Sequence, residues 1–126
     1  MKQAGVMIIC IILVVVSGIC EVKYLNKSAL YLRSDIEYIQ NAINNDNYNI
    51  ASTQSKAAYN SWSEMKKIWN IFINHEEIDD IENSMIDLKE HIEFQNKEEC
   101  LVAIEKIKSE LDHTVKRQEL RIDNIL

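Results

Sequence analysis

After Gly18 the chain contains neither glycine nor proline. Glycine supplies left-handed backbone angles without a steric cost, and proline interrupts helical hydrogen bonding. A long stretch lacking both is poor material for the tight turns of a sheet and good material for long helices. Residues 21–126 are therefore expected to form an all-α domain, with its turns left to asparagine and aspartate.

The second constraint stands ahead of that stretch. From Ala4 to Cys20 no charged residue interrupts an apolar run that includes Val6-Met7-Ile8-Ile9-Cys10-Ile11-Ile12-Leu13-Val14-Val15-Val16. A membrane-spanning helix needs roughly 20 apolar residues, within a range of about 17 to 25. The run lies at the short end of that range, and Val22 to Leu25 can extend it. A cleaved signal peptide is the competing reading. It has a basic start at Lys2, an apolar core, and Val15-Val16-Ser17 or Val16-Ser17-Gly18 as cut sites. Neither site has the small-x-small pattern of efficient cleavage. A lipoprotein site at Cys20 is disfavoured by the bulky Ile19 before it. The sequence thus reads as a membrane anchor over 1–20, touching lipid through 4–20, followed by a domain over 21–126.

Orientation draws on two opposed signals. Lys2 is the one basic side chain before the run, whereas Lys23, Lys27 and Arg33 come after it. The positive-inside count alone would keep the domain cytoplasmic. A short basic start before an apolar core is also the layout that exports the downstream domain, and an extracytoplasmic domain is the expectation adopted.

Hydrophobic spacing divides the remainder into about four helices, near 21–44, 47–72, 75–95 and 97–125. In the first, Val22, Leu25, Ala29, Leu32, Ile36, Ile39 and Ile43 alternate spacings of three and four, a heptad seam continuous with the apolar run. The Asn44-Asn45-Asp46-Asn47 cluster ends it. The second stripe is Tyr48, Ala51, Ser55, Ala58, Trp62, Met65, Trp69 and Phe72. Asn74 with Glu77 predicts a capping box, and Ile73 with Ile78 a hydrophobic staple. The third run carries Ile78, Ile81, Met85, Leu88 and Ile92. Asn96 with Glu99 repeats the box before Cys100, Ile104, Ile107, Leu111 and on to Ile122 and Ile125. A competing layout fuses the second and third runs across Asn74. Short links between long helices predict antiparallel neighbours, which brings the Trp69–Ile73 turn and the Ile125-Leu126 segment to the anchor end. Tryptophan suits the membrane interface, so that turn is expected near lipid.

Function classes narrow by exclusion. A formal net charge of −6 makes nucleic acid an unsuitable partner. Cys10 falls inside the apolar run, and Cys20 and Cys100 fall at opposite ends of the expected bundle, so no disulfide framework is expected. No phosphate loop, Cys-x-x-Cys pair or nucleophile elbow occurs. No enzyme activity, cofactor or metal site is therefore expected. One weak constellation remains: on a helix His75, Asp79 and Glu82 share a face, and imidazole with carboxylates can bind a divalent cation. This gives an alternative reading as an extracytoplasmic cation or ligand sensor. The simpler account of the acidic residues there is a solvated face that complements the helix dipole.

Three segments also carry a resemblance: Trp69-Asn-Ile-Phe-Ile-Asn-His75-Glu76-Glu-Ile78-Asp79-Asp-Ile81, Leu111-Asp-His113, and Glu119-Leu-Arg-Ile-Asp-Asn124-Ile125-Leu126. They resemble a family of short clostridial and bacillar proteins known only as a domain of unknown function, with an N-terminal hydrophobic helix and an Asn-Ile-Leu-like ending. The resemblance implies a membrane-associated accessory protein of a Gram-positive bacterium and supplies neither substrate nor catalytic residue. The resulting expectation is a membrane-anchored helical interaction protein with a membrane-protein partner. The contact residues expected are Trp69, Phe72, His75, Asn124, Ile125 and Leu126. The seam of the first helix also leaves a homodimer open.

Overall fold

The computed structural model describes residues 1–125; Leu126 lies outside them. Four helices account for almost all of the described chain: α1 (Lys2–Asn44), α2 (Tyr48–Trp69), α3 (His75–Glu93) and α4 (Lys97–Ile125). Each packs on its neighbour in sequence, and α4 closes on α1. Short links and a closed order α1–α2–α3–α4 make this an up-down-up-down bundle.

The two turns at the end remote from the apolar run are built alike. At the end of α1, Asn47 N–H donates to the Ala42 carbonyl at 2.8 Å and Asp46 N–H to Ile43 at 3.0 Å. At the end of α3, Asn96 N–H donates to His91 and Gln95 N–H to Ile92, both at 3.0 Å. Both pairs are Schellman caps, whose penultimate position is left-handed and usually glycine. With no glycine in the domain, that position falls to Asp46 (φ 56°) and Gln95 (φ 52°). A left-handed angle costs a residue with a β-carbon roughly 1–2 kcal/mol. Part of that is offset by the extra entropy a glycine loses on folding. Gln95→Gly is therefore expected to raise stability by about 0.5–1 kcal/mol. Thermal unfolding checks this, with Gln95→Ala expected to give no gain.

The start of each later helix carries an asparagine cap. Asn47 accepts from Ile50 N–H at 3.3 Å, Asn74 from Glu76 at 3.1 Å and Asn96 from Glu99 at 3.3 Å. The reciprocal half of the expected box at α3 is not made. Glu77 instead takes an ion pair from Arg117 on α4, so its carboxylate ties two helices rather than closing its own. The break at residues 70–74 is real, and α2 and α3 do not fuse. After Trp69 the chain tightens, with Ile71 N–H on Ile68 and Phe72 N–H on Trp69 at 3.0 and 3.1 Å.

The core follows the stripes. Leu25, Ala29, Leu32, Ile36, Ile39 and Ile43 of α1 are buried, as are Ile78, Ile81, Met85, Leu88 and Ile92 of α3. Val22 is half-buried. On α2 the small residues Ala51, Ser55 and Ala58 are buried and bring backbones close, and the volume they leave is supplied lower down by Trp62 and Trp69. The two indoles meet edge to face, centroids 5.3 Å apart at 86°. Trp69 Nε1 donates to Ser28 Oγ at 2.9 Å, and Ser28 Oγ donates to the Tyr24 carbonyl at 2.7 Å. That relay satisfies a buried donor and pins α2 to α1.

Below Leu25 the same α1 continues as the apolar run. It is the one described helix long and apolar enough to cross a membrane, and it is compatible with an anchor or a signal sequence. Val6, Met7, Ile8, Ile9, Ile11, Ile12, Leu13 and Val14 are all exposed, so this half of α1 has almost nothing of its own chain to cover it.

Candidate interaction surface at the apolar end of the bundle

The residues expected to form a contact surface are distributed over two levels. Trp69 is 0% exposed and belongs to the packed core, not to the surface. Phe72 packs half-buried against that core. His75 opens α3 in an exposed position, and Asn124 and Ile125 are exposed near the end of α4. Leu126 lies outside the described residues. Trp69 is level with Ser28, while Ile122 reaches Gly18. These contacts are ten residues apart on α1, about 15 Å along its axis. The Trp69–Ile73 turn and the end of α4 thus share one end of the bundle but not one height.

The acidic constellation on α3 does not assemble. Both Glu82 oxygens accept from Lys66 Nζ at 3.0 Å, and this pairing raises the Lys66 amine above its ordinary value. Among the described residues no three His, Cys, Asp or Glu side chains converge as a metal site. The geometry gives the sensor alternative no support.

A surface not singled out from the sequence lies on the outer side of α1. Leu30 is 67% and Tyr31 60% exposed, although they are the two residues that follow the buried Ala29. They border two grooves. One, of about 750 Å³, runs between α1 and α2 and is lined mainly by Tyr24, Leu30, Tyr31, Ser61 and Met65. The other, of about 590 Å³, runs between α1 and α4 past Asn26, Leu30 and Val115. Arg33 closes the upper rim of the second by an ion pair with Asp112 at 2.5 Å. Leu30 belongs to both grooves and forms the ridge between them. The signal present in the sequence is a pair of apolar residues opposite a seam already complete without them.

Glu110 is the one described carboxylate whose oxygen is buried without a hydrogen-bond partner. Its Oε1 accepts from Ser84 Oγ at 3.2 Å and its Oε2 is enclosed and unpaired. Burial pushes its carboxyl up, and nearby Asp80 adds to this, while the Ser84 bond and Lys106 act against it. A raised folded value means that protonation favours the fold. Stability through Glu110 is complete below the ordinary glutamate value of about 4.3 and is lost as pH rises through the folded one. Glu110→Gln is expected to be the more stable form at neutral pH, by up to about 1 kcal/mol. In thermal melts across a pH series, that advantage should vanish below about pH 4.

A family model described as a domain of unknown function (DUF4363) matches residues 19–125, and the chain belongs to that family. No curated protein matches the chain, and no solved structure does.

Proposed function

We propose that this member of the DUF4363 family is a non-catalytic, single-pass membrane-anchored accessory module. In this reading the bundle lies on the extracytoplasmic side and offers the outer face of α1 to a membrane-protein partner. The observation that carries the reading is that α1 is one helix from Lys2 to Asn44. Its first half is apolar and bare, and its second half is one wall of the bundle. A helix shared in this way transmits position: the bundle stands at a fixed height and rotation above the bilayer. Leu30 then lies ten residues beyond Cys20, about 15 Å above the apolar run, within reach of the juxtamembrane part of a neighbouring membrane protein.

The interior supports a scaffold rather than a catalyst. Its volume is filled by packed aliphatic side chains and two indoles, and the two α1 grooves are bordered largely by apolar or long flexible side chains. A photo-crosslinking residue at Tyr31, in the full chain in its native membrane, tests the reading, with one at Phe94 as the remote control. A covalent adduct with a different membrane protein from position 31 and none from 94 is expected. Adducts only with a second copy of the chain would replace the partner by a homodimer, and no adduct at 31 would count against this face.

A further inference from the structure

We infer that the last two turns of α4, around Leu120, Ile122 and Ile125, lie in the headgroup and upper acyl layer of the bilayer beside α1, so that two helices hold the bundle to lipid. The inference rests on the reading of Ala4–Cys20 as a membrane span and adds a second lipid-contacting element to it. As a helix that run measures about 25 Å at 1.5 Å per residue, against a hydrocarbon core of about 30 Å. It has no length to spare, and the upper edge of the hydrocarbon must lie at or above Cys20.

The end of α4 lies below that edge. Ile122 is seated on Gly18: a β-carbon there would stand 3.4 Å from Ile122 Cδ1. Ile125 borders a groove of about 340 Å³ together with Leu13, Val14 and Ser17. Leu13 is seven residues before Cys20, roughly 10 Å deeper along the axis. Lowering the bilayer edge to keep Ile125 in water would leave residues 4–13 as the span, about 15 Å of helix and half the thickness required. A spanning α1 and this α4 register coexist only if α4 enters lipid.

The side chains suit that location. Small residues, Ser17 and Gly18, let the helices approach as they do inside membranes. Leu120 and Ile125 are 59% and 69% exposed, so they have apolar surface to give to lipid beyond what α1 covers. Arg121, Asp123 and Asn124 are exposed polar residues nearby and can direct their polar ends toward headgroups. An interfacial helix of mixed polarity buries its apolar side about 5–10 Å deep, and the register places Ile125 at the deep end of that range, about 10 Å below the level of Cys20.

The full chain in phosphatidylcholine–phosphatidylglycerol vesicles provides the test. An environment-sensitive fluorophore is attached at single cysteines, in a background of Cys20→Ala and Cys100→Ala. The four sites are native Cys10 and, with Cys10→Ala added, Leu120→Cys, Ile125→Cys and Phe94→Cys. Lipids carrying a spin label on a shallow or a deep acyl carbon quench whatever they touch. Cys10 should respond to the deep label, while Leu120→Cys and Ile125→Cys should respond to the shallow one several-fold more than Phe94→Cys. Quenching at Cys10 with Ile125→Cys behaving like Phe94→Cys would overturn the inference and leave the anchor standing. A Cys10 probe untouched by lipid would remove the anchor reading and this inference with it.

Discussion

Trp69→Ala is expected to destabilise the bundle by about 3–5 kcal/mol, the largest effect of any single substitution in the domain. Whole domains of this size are stable by about 5–15 kcal/mol, so the variant should be largely unfolded under mild denaturant. Its side chain is fully buried, supplies half of the edge-to-face indole pair and hydrogen-bonds across to Ser28 on α1. Truncation therefore opens a cavity where α1, α2 and the α2–α3 turn meet, and removes the cross-link between two helices. Ser28→Ala separates the contributions. It keeps the packing but strands the indole N–H, at a cost of about 1–3 kcal/mol. Trp62 offers the contrast, since its Nε1 is already without a partner among the described residues. The loss in Trp62→Ala should come from packing alone. Urea unfolding of the three variants, monitored by circular dichroism, checks this order.

The second large effect is on location. Ile9→Arg combined with Ile12→Arg places two charges near the middle of the apolar run, each unfavourable by about 2.5–3.5 kcal/mol for insertion. The double variant is expected to leave the membrane fraction and to be extracted by alkaline carbonate, whereas the parent chain is expected to resist extraction. Both side chains are exposed and distant from the core, so the helical signal and the melting of the bundle should be unchanged. Retention of the double variant in the membrane would show that something other than this run holds the chain there.

Much of the fold is legible in the sequence because little in it conflicts. Each core stripe keeps one spacing, no glycine or proline interrupts it, and asparagine stands at each turn. Leu25 through Ile43 and Ile78 through Ile92 are buried as their spacing requires. Pattern alone does not convey the choice of partners. Glu77 is positioned to close its own helix, yet Arg117 from α4 competes for the same carboxylate. A capping box is a local rule, whereas the ion pair depends on how two distant helices align. Trp69 has the chemistry of a membrane-interface residue, but the small side chains of α2 and Ser28 on α1 leave room for it inside.

Height is also missing from the sequence. Antiparallel order places the α2–α3 turn and the end of α4 at the same end, but not at the same level. That offset arises because α4 continues beyond Leu111 and Thr114 to seat Ile122 on Gly18. In the sequence Gly18 has meaning only as part of a cut site; its role as a seat depends on a residue more than a hundred positions away. Leu30 and Tyr31 escape notice for a related reason: periodicity marks the buried side of a helix and gives no weight to the side opposite.

If α1 serves at once as membrane anchor and as first helix of the bundle, residues 1–20 must stay attached. Mass spectrometry of the chain extracted from native membranes tests this most directly. The membrane-bound form is predicted to retain the peptide containing Lys2 to Cys20. A membrane-bound form beginning between Gly18 and Glu21 would contradict the dual role of α1.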